Sequence, residues 1–301
     1  MLKQLFYKII YNKNINYVLR NLNLILHPVF KNVKIPPSGV LKLKTRSGNI
    51  KICTNQTSYI TQLLFWQGYG KFEYSLIFEK LSKQISYFLD IGSNIGYYSL
   101  IASKANPEIK IYAFEPAKGP KHFLSKNILI NNFENNIELV DLAISNTIGN
   151  IDFYEVENKK YTYLKQNLAG EGNAGTKISS RNFVKNSVKS STLDEFITST
   201  KVPQIDLIKI DTEGTEIDIL NSGLEQIKKF EPIIICETLF NNIEDELDSF
   251  FKGIGYDAYN HTAEGLKKID SIKREKDNGV RNCFFVPKSK IHLISPFIIN
   301  N

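Results

Sequence analysis

The sequence predicts an α/β fold. It is a doubly wound, mostly parallel sheet that closes with a C-terminal antiparallel hairpin and follows an N-terminal α+β extension. Three observations predict it. From Tyr87 onward, short apolar runs alternate with helix-length amphipathic segments. The first of those runs ends in a glycine turn that leads straight into a helical pattern. Before Tyr87 the pattern differs, with helical spacing followed by alternating strand-like segments around a turn at Ser47-Gly48-Asn49.

In chain order, Leu, Ile, Tyr and Val return at helical spacing over residues 2–26, predicting one or two amphipathic helices. His27-Pro28 and Pro36-Pro37 then punctuate the chain. Residues 40–45 and 49–54 form a hairpin, and 59–66 and 72–82 are helices separated by Gly68 and Gly70. Sheet strands are expected at 87–91, 109–114, 137–144, 205–210 and 232–236. Helices are expected at 95–104, 119–130, 216–227 and 243–252. Residues 148–156 make a further short strand, and the apolar stretches 256–260 and 283–286 close the sheet. Residues 157–191 are rich in Gly, Ser, Asn and Lys with little periodicity, so they read as an insertion. The organisation is therefore an extension over 1–67, a main domain over 68–290 and a tail over 291–301.

Composition bounds the function. With 42% hydrophobic and 23% charged residues, wholesale disorder is excluded. Cys53, Cys236 and Cys283 lie far apart with no CxxC, which excludes a disulfide framework and a thiolate zinc site and fits a reducing cytoplasm. No apolar run approaches the roughly 18 residues of a spanning helix, and the N-terminus offers no cleavage site. The net charge is +7, unevenly spread. Eleven basic residues and no acidic one precede Glu73, whereas the rest of the chain carries 27 basic against 31 acidic groups.

The chemistry gathers at the carboxyl ends of the strands. Asp90 ends the first strand, and Gly92-Ser93-Asn94-Ile95-Gly96 comes after it. Asp90 suits a cationic group, and Gly92 and Gly96 are expected to let the backbone approach a ligand. The GxxxG spacing differs from the GxGxxG of a dinucleotide fingerprint. Glu115 ends the second strand, where a carboxylate can accept both hydroxyls of a ribose. NAD and S-adenosylmethionine both carry that diol, so Glu115 does not separate them. Asp141 ends the third strand, placed for an adenine amino group or for a plain turn.

The fourth strand runs Leu207-Ile208-Lys209-Ile210-Asp211 into Thr212-Glu213-Gly214-Thr215-Glu216. Helix capping by Thr215 and Asp218 explains part of this acidity, but not Asp211 or Lys209, which share one face of the strand. Glu237 ends the next strand and is expected to face the same cleft as Asp211. Paired carboxylates can deprotonate an alcohol as a general base or hold a divalent cation. Thr192 and Glu195 have the spacing of a capping box. The four histidines adjoin no motif.

In order and spacing, Asp90-Ile-Gly-Ser-Asn-Ile-Gly-Tyr-Tyr-Ser, Phe114-Glu-Pro, Ala143-Ile-Ser, Thr192-Leu-Asp and Leu207-Ile-Lys-Ile-Asp-Thr-Glu-Gly-Thr-Glu resemble the FkbM family of methyltransferases. The likeness covers roughly residues 68–237. It implies a Rossmann-like class I methyltransferase sheet and transfer of a methyl group from S-adenosylmethionine to hydroxyls of sugars, glycans or secondary metabolites. It further implies that Asp90, Gly92, Asn94, Gly96 and Glu115 bind the cofactor. Gly70-Lys-Phe-Glu73 looks like the family's Gly-x-Tyr-Glu element, which adds Glu73 to that pocket, with Phe72 where tyrosine is usual. Asp211, Glu213 and Glu237 resemble the acidic residues beside the transferring methyl. Thr238 and Leu239 stand where the family often has His.

The expected reaction is O-methylation, with Asp211 or Glu237 orienting or deprotonating the acceptor, Lys209 beside them, and Asn173 of loop 169–177 touching the acceptor. An RNA methyltransferase, which the basic N-terminus would suggest, is disfavoured because the sheet edges lack an aromatic tetrapeptide after strand four and any cysteine nucleophile, and strand five ends in Glu237 in place of a second lysine. A non-catalytic, membrane-associated binding module and an NAD-linked dehydrogenase are the other rivals. The basic extension fits peripheral contact at the inner face of a membrane, or an anionic or lipid-linked acceptor. A solvated helical cap is its plainer alternative.

Overall fold

The computed structural model describes residues 2–156, 158–168, 183–212 and 214–299. Helices α1 (Leu2–Ile10) and α2 (Lys13–Leu26) precede a hairpin of β1 (Gly39–Thr45) and β2 (Gly48–Thr54), then α3 (Tyr59–Gln67) and α4 (Ser75–Ser82). The main sheet begins with β3 (Tyr87–Ile91), α5 (Tyr97–Ala105), β4 (Lys110–Phe114), α6 (Lys118–Asn131) and β5 (Ile137–Val140). The chain leaves that sheet through β6 (Ala143–Ile144), β7 (Gly149–Val156), β8 (Phe183–Ser191) and α7 (Leu193–Thr200). It returns with β9 (Leu207–Ile210), α8 (Glu216–Ser222), α9 (Leu224–Phe230), β10 (Ile233–Glu237) and α10 (Glu244–Gly253). The last elements are β11 (Tyr256–His261), β12 (Leu266–Ile269), β13 (Asn282–Pro287) and α11 (Ile291–Ile294).

The main sheet has the order β12-β11-β13-β10-β9-β3-β4-β5. Its strands β10, β9, β3, β4 and β5 are parallel, and β11, β12 and β13 are antiparallel. The expected doubly wound sheet with an antiparallel end is therefore present. From β3 the chain runs outward through β4 and β5, then crosses back to β9 on the other side of β3. The boundary between β3 and β9 is the topological switch point, where the loops diverge and leave a crevice.

Alternation along the strands splits the core in two. Phe88, Leu207 and Ile235 face a cluster shared with α4, α5, α6 and the β1–β2 hairpin. Leu89, Ile91, Ile208 and Ile210 face the opposite cluster, made with α7, α8, α9 and α10. Leu41, Leu43, Ile50 and Ile52 of the hairpin are buried in the first cluster, so the hairpin is continuous with the main core.

Several boundaries differ from expectation. The strand expected at 137–144 breaks after Val140, where Leu142 N–H bonds back to the Val140 carbonyl. Beyond the break, β6 pairs with β8 in a separate three-stranded sheet of order β6-β8-β7. The latter part of the expected insertion is thus β8, fully paired with β7 from Val156–Phe183 to Gly149–Ser190. The helix expected at 216–227 is two helices, because Gly223 lies at φ −120° and Leu193 packs where its Cβ would be. The helix expected from residue 72 begins at Ser75, after a 3₁₀ turn at Tyr69–Lys71. Strand β12 falls where the sequence predicts none.

Candidate active site

Asp90 and Lys209 are partners in the β3–β9 register, directly across the switch point. Lys209 is also level with Ile235 of β10. Side chains alternate faces, so two residues further on Gly92, Asp211 and Glu237 share that face at the carboxyl edge. The three strands therefore deliver one column each: Asp90 and Gly92, Lys209 and Asp211, Ile235 and Glu237.

Lys209 is the hub. Its Nζ lies 3.2 Å from Asp211 Oδ2 and 3.9 Å from Asp90 Oδ1, and 5.5 Å above the Tyr98 ring. Burial alone pulls its pKa down, but Asp211 and Asp90 more than offset that and hold it above the ordinary lysine value. The ammonium is thus a fixed positive charge beneath the crevice, and it positions the carboxylates without reaching the surface. Asp90 is buried, which pushes its pKa up against Lys209 and the hydrogen bond from Ser99 Oγ to Oδ2 at 2.6 Å. Asp90 Oδ1 receives no hydrogen bond. Asp211 is 41% exposed and gives one oxygen to Lys209, so it is the member of the column open to a substrate.

The glycine turn is built by backbone constraint. Gly92, Asn94 and Gly96 lie at φ of +73°, +53° and +82°. A Cβ at Gly92 would strike the Asp211 carbonyl, and one at Gly96 the Leu124 side chain. These glycines let the turn press against β9 and α6. Ser93 N–H bonds to the Phe114 carbonyl at 3.0 Å, tying the turn to the end of β4. Glu115 spans the same gap, accepting from Asn94 N at 2.8 Å and Ala117 N at 2.9 Å. Burial pushes the Glu115 pKa up to about 7 despite those two backbone donors. Each carboxylate oxygen keeps a second lone pair for a ligand.

Other predicted residues fall around this centre. Glu73 accepts the Tyr98 hydroxyl at 2.5 Å. Surrounding protein pushes the Glu73 pKa up by desolvation, although its side chain is exposed and water moderates the effect. A cavity of about 530 Å³ opens beside Glu73 and Tyr74 and reaches His261 and Phe297. Asp141 is exposed and paired with Lys121 at 2.5 Å, away from the column. Glu213 and Asn173, with the rest of loop 169–177, lie outside the described residues. Among the described residues no group of three His, Cys, Asp or Glu is placed to hold a metal ion.

The turn after β9 is held differently from expectation. Thr215 makes no capping bond to α8; its hydroxyl donates to Thr212 Oγ1 at 2.9 Å. Buried Glu216 Oε1 instead accepts from Thr212 N at 3.0 Å, Gly214 N at 3.1 Å and Thr212 Oγ1 at 3.1 Å. The Glu216 carboxylate ties Thr212 and Gly214 to the start of α8 and so fixes the exit of Asp211 from the sheet. Thr192 does cap α7, accepting from Glu195 N at 3.2 Å.

Tyr98 and Ser99 close the glycine-turn motif in the sequence, which gives them no role of their own. Both lie in the first turns of α5, directly after the glycine turn, and that position is the available signal. Tyr98 stacks on Tyr74 with centroids 4.8 Å apart, and the pair forms the wall under Lys209. Together, the unbonded Asp90 oxygen, the buried Glu115 carboxylate and the crevice between β3 and β9 suit a ligand that carries both an ammonium and a diol.

The Methyltransferase FkbM domain matches residues 90–258. Methyltransferase sdnD of Sordaria araneosa is 26% identical over 198 residues, which is 59% of this chain and 76% of that protein. Among solved structures, the methyltransferase FkbM of Methylobacillus flagellatus KT superposes with a TM-score of 0.42 at 13% identity, over 66% of this chain and 43% of that one. Precorrin-6y C5,15-methyltransferase of Geobacter metallireducens GS-15 gives a TM-score of 0.40 at 13% identity, over 71% and 87%. The chain belongs to the FkbM family of methyltransferases.

Proposed function

We propose that this methyltransferase moves the methyl group of S-adenosylmethionine to a hydroxyl oxygen of a sugar, glycan or secondary metabolite. The observation that carries the reading is the Lys209–Asp211 pair at the carboxyl edge, beside the glycine turn and on the strand next to the one that ends in Glu237. S-adenosylmethionine, when bound, supplies a methyl on a positively charged sulfur that needs no further activation. What the chain must add is alignment of the acceptor and a place for its proton.

Asp90 Oδ1 would take the methionyl ammonium, directly or through water, and Glu115 the ribose hydroxyls. Gly92, Asn94 and Gly96 shape the turn along which the cofactor lies, and Asp141 stands at the adenine end. Asp211 accepts a hydrogen bond from Lys209 on one oxygen and offers the other to the acceptor hydroxyl. Glu237, on the adjacent strand, brings the second carboxylate, so one can orient the hydroxyl while the other receives its proton. Glu73 stands at the mouth of the neighbouring cavity, where a polyhydroxylated acceptor would meet it.

The test is product chemistry. Incubation with methyl-labelled S-adenosylmethionine and a panel of sugars and hydroxylated metabolites should yield an alkali-stable methyl ether identified by NMR. Label found instead on nitrogen, carbon or a carboxylate would overturn O-transfer.

A further inference from the structure

Helix α2 is inside out. The residues it turns to the protein are polar: Asn16, Arg20 and Asn23, at i, i+4 and i+7, are its buried positions. They bond to main chain of the segment after the helix. Arg20 Nη2 donates to the Val40 carbonyl at 2.7 Å and Nη1 to the Ser38 carbonyl at 3.1 Å. Asn16 Oδ1 accepts from Ser38 N at 2.7 Å, and Asn23 Oδ1 from Ile35 N at 2.8 Å. The opposite stripe is apolar and open: Ile15, Val18, Leu22, Ile25 and Leu26 are all exposed, Ile25 to 73%.

The same polarity extends to the neighbouring segments. On α1, Tyr7 packs against Tyr161 with ring centroids 5.1 Å apart, while Leu2, Leu5, Phe6 and Ile9 face outward, Leu2 at 86% exposure. After α2, Val29, Phe30 and Val33 are also exposed, Val29 to 74%. Fifteen of the nineteen large exposed hydrophobics among the described residues lie within residues 2–40. A water-facing surface does not need such a patch, and water disfavours it. Polar contacts that are specific and buried fix this orientation, so the helix cannot simply roll its apolar side inward.

Charge identifies what covers it. Lys3, Lys8, Lys13, Lys31 and Lys34 are exposed around the apolar stripe, and no acidic residue occurs before Glu73. A second copy of this face would meet its own positive charge, whereas an anionic lipid surface complements both the lysines and the apolar stripe. No helix among the described residues is long and apolar enough to cross a membrane, which fits a helix pair lying in the interface. We infer that α1, α2 and the 29–34 segment form a docking surface for an anionic bilayer, with Leu22, Ile25 and Val29 inserted and the lysines at the headgroups.

The experiment is sedimentation of the full chain with phosphatidylcholine vesicles and with vesicles containing phosphatidylglycerol. The chain should pellet with the anionic vesicles only, and added salt should release it. Leu22→Glu with Ile25→Glu should lower the partition coefficient about tenfold or more. The melting temperature and S-adenosylhomocysteine binding should not change. If that variant fails to fold, Lys31→Glu with Lys34→Glu decides the matter, since it should weaken binding to anionic vesicles. Absence of pelleting, equal pelleting with neutral vesicles, or unchanged pelleting of the folded variants would overturn the inference. So would a solution dimer that Leu22→Glu with Ile25→Glu splits, because a second copy would then be the occupant.

Discussion

Asp90 and Lys209 stand in register on adjacent parallel strands, on opposite sides of the switch point, and both side chains are buried. They form the floor of the crevice. Nearer the carboxyl edge, the same lysine holds Asp211, the carboxylate that reaches solvent. The arrangement couples a buried carboxylate to one that reaches solvent through one buried charge.

Removing that charge should be costly. Lys209→Met leaves Asp90 buried without its cation, and breaking a buried pair in this way typically costs about 3–5 kcal/mol. The pKa of Asp90 is already raised by burial and should rise further in the variant. A raised folded pKa means that the folded state holds a proton the unfolded state lacks, so stability falls as pH rises through that range. Chemical denaturation at about pH 5 and about pH 8 should therefore show a larger deficit for the variant at the higher pH.

Glu115 should give cofactor binding a pH dependence near neutrality. Its folded pKa of about 7 lies above the ordinary 4.5, so its contribution to folding stability is complete below 4.5 and is lost as pH rises to about 7. Ligand binding runs the other way, because the carboxylate accepts ribose hydroxyls better than the acid does. Calorimetric affinity for S-adenosylhomocysteine should rise as pH climbs through about 7, and Glu115→Gln should bind weakly with that rise flattened.

Gly92→Ala tests the backbone packing. It places a Cβ at φ +73° against the Asp211 carbonyl, and such strain typically costs about 1–3 kcal/mol. Because the collision partner is the backbone of Asp211, both thermal stability and turnover should fall. Ala at Gly149, which also has positive φ but nothing within 4 Å, should lower stability alone.

Much of the fold is legible in the sequence because buried parallel strands are nearly continuous apolar runs, as in Ile233-Ile234-Ile235-Cys236. Strand β12 is hidden because it is an edge strand reading Leu-Lys-Lys-Ile, with two lysines exposed. Strand β8 is hidden because both of its faces are largely open, which leaves no alternation to read. In the site, Asp90, Lys209 and Asp211 emerge from strand periodicity alone. Tyr98, Ser99 and Glu216 do not, because which turn of a helix meets a strand end is set by packing between elements distant in sequence. Helix α2 carries the same lesson: its amphipathic spacing is plain, but spacing does not say which face turns inward.

In the proposed reaction Asp211 acts on the acceptor hydroxyl and does not hold the cofactor. The most direct measurement is turnover of Asp211→Asn alongside its affinity for S-adenosylhomocysteine. Affinity should be unchanged, with turnover lowered roughly 10²–10⁴-fold, the usual contribution of a positioned general base. Full turnover in a folded, cofactor-binding Asp211→Asn protein would contradict it.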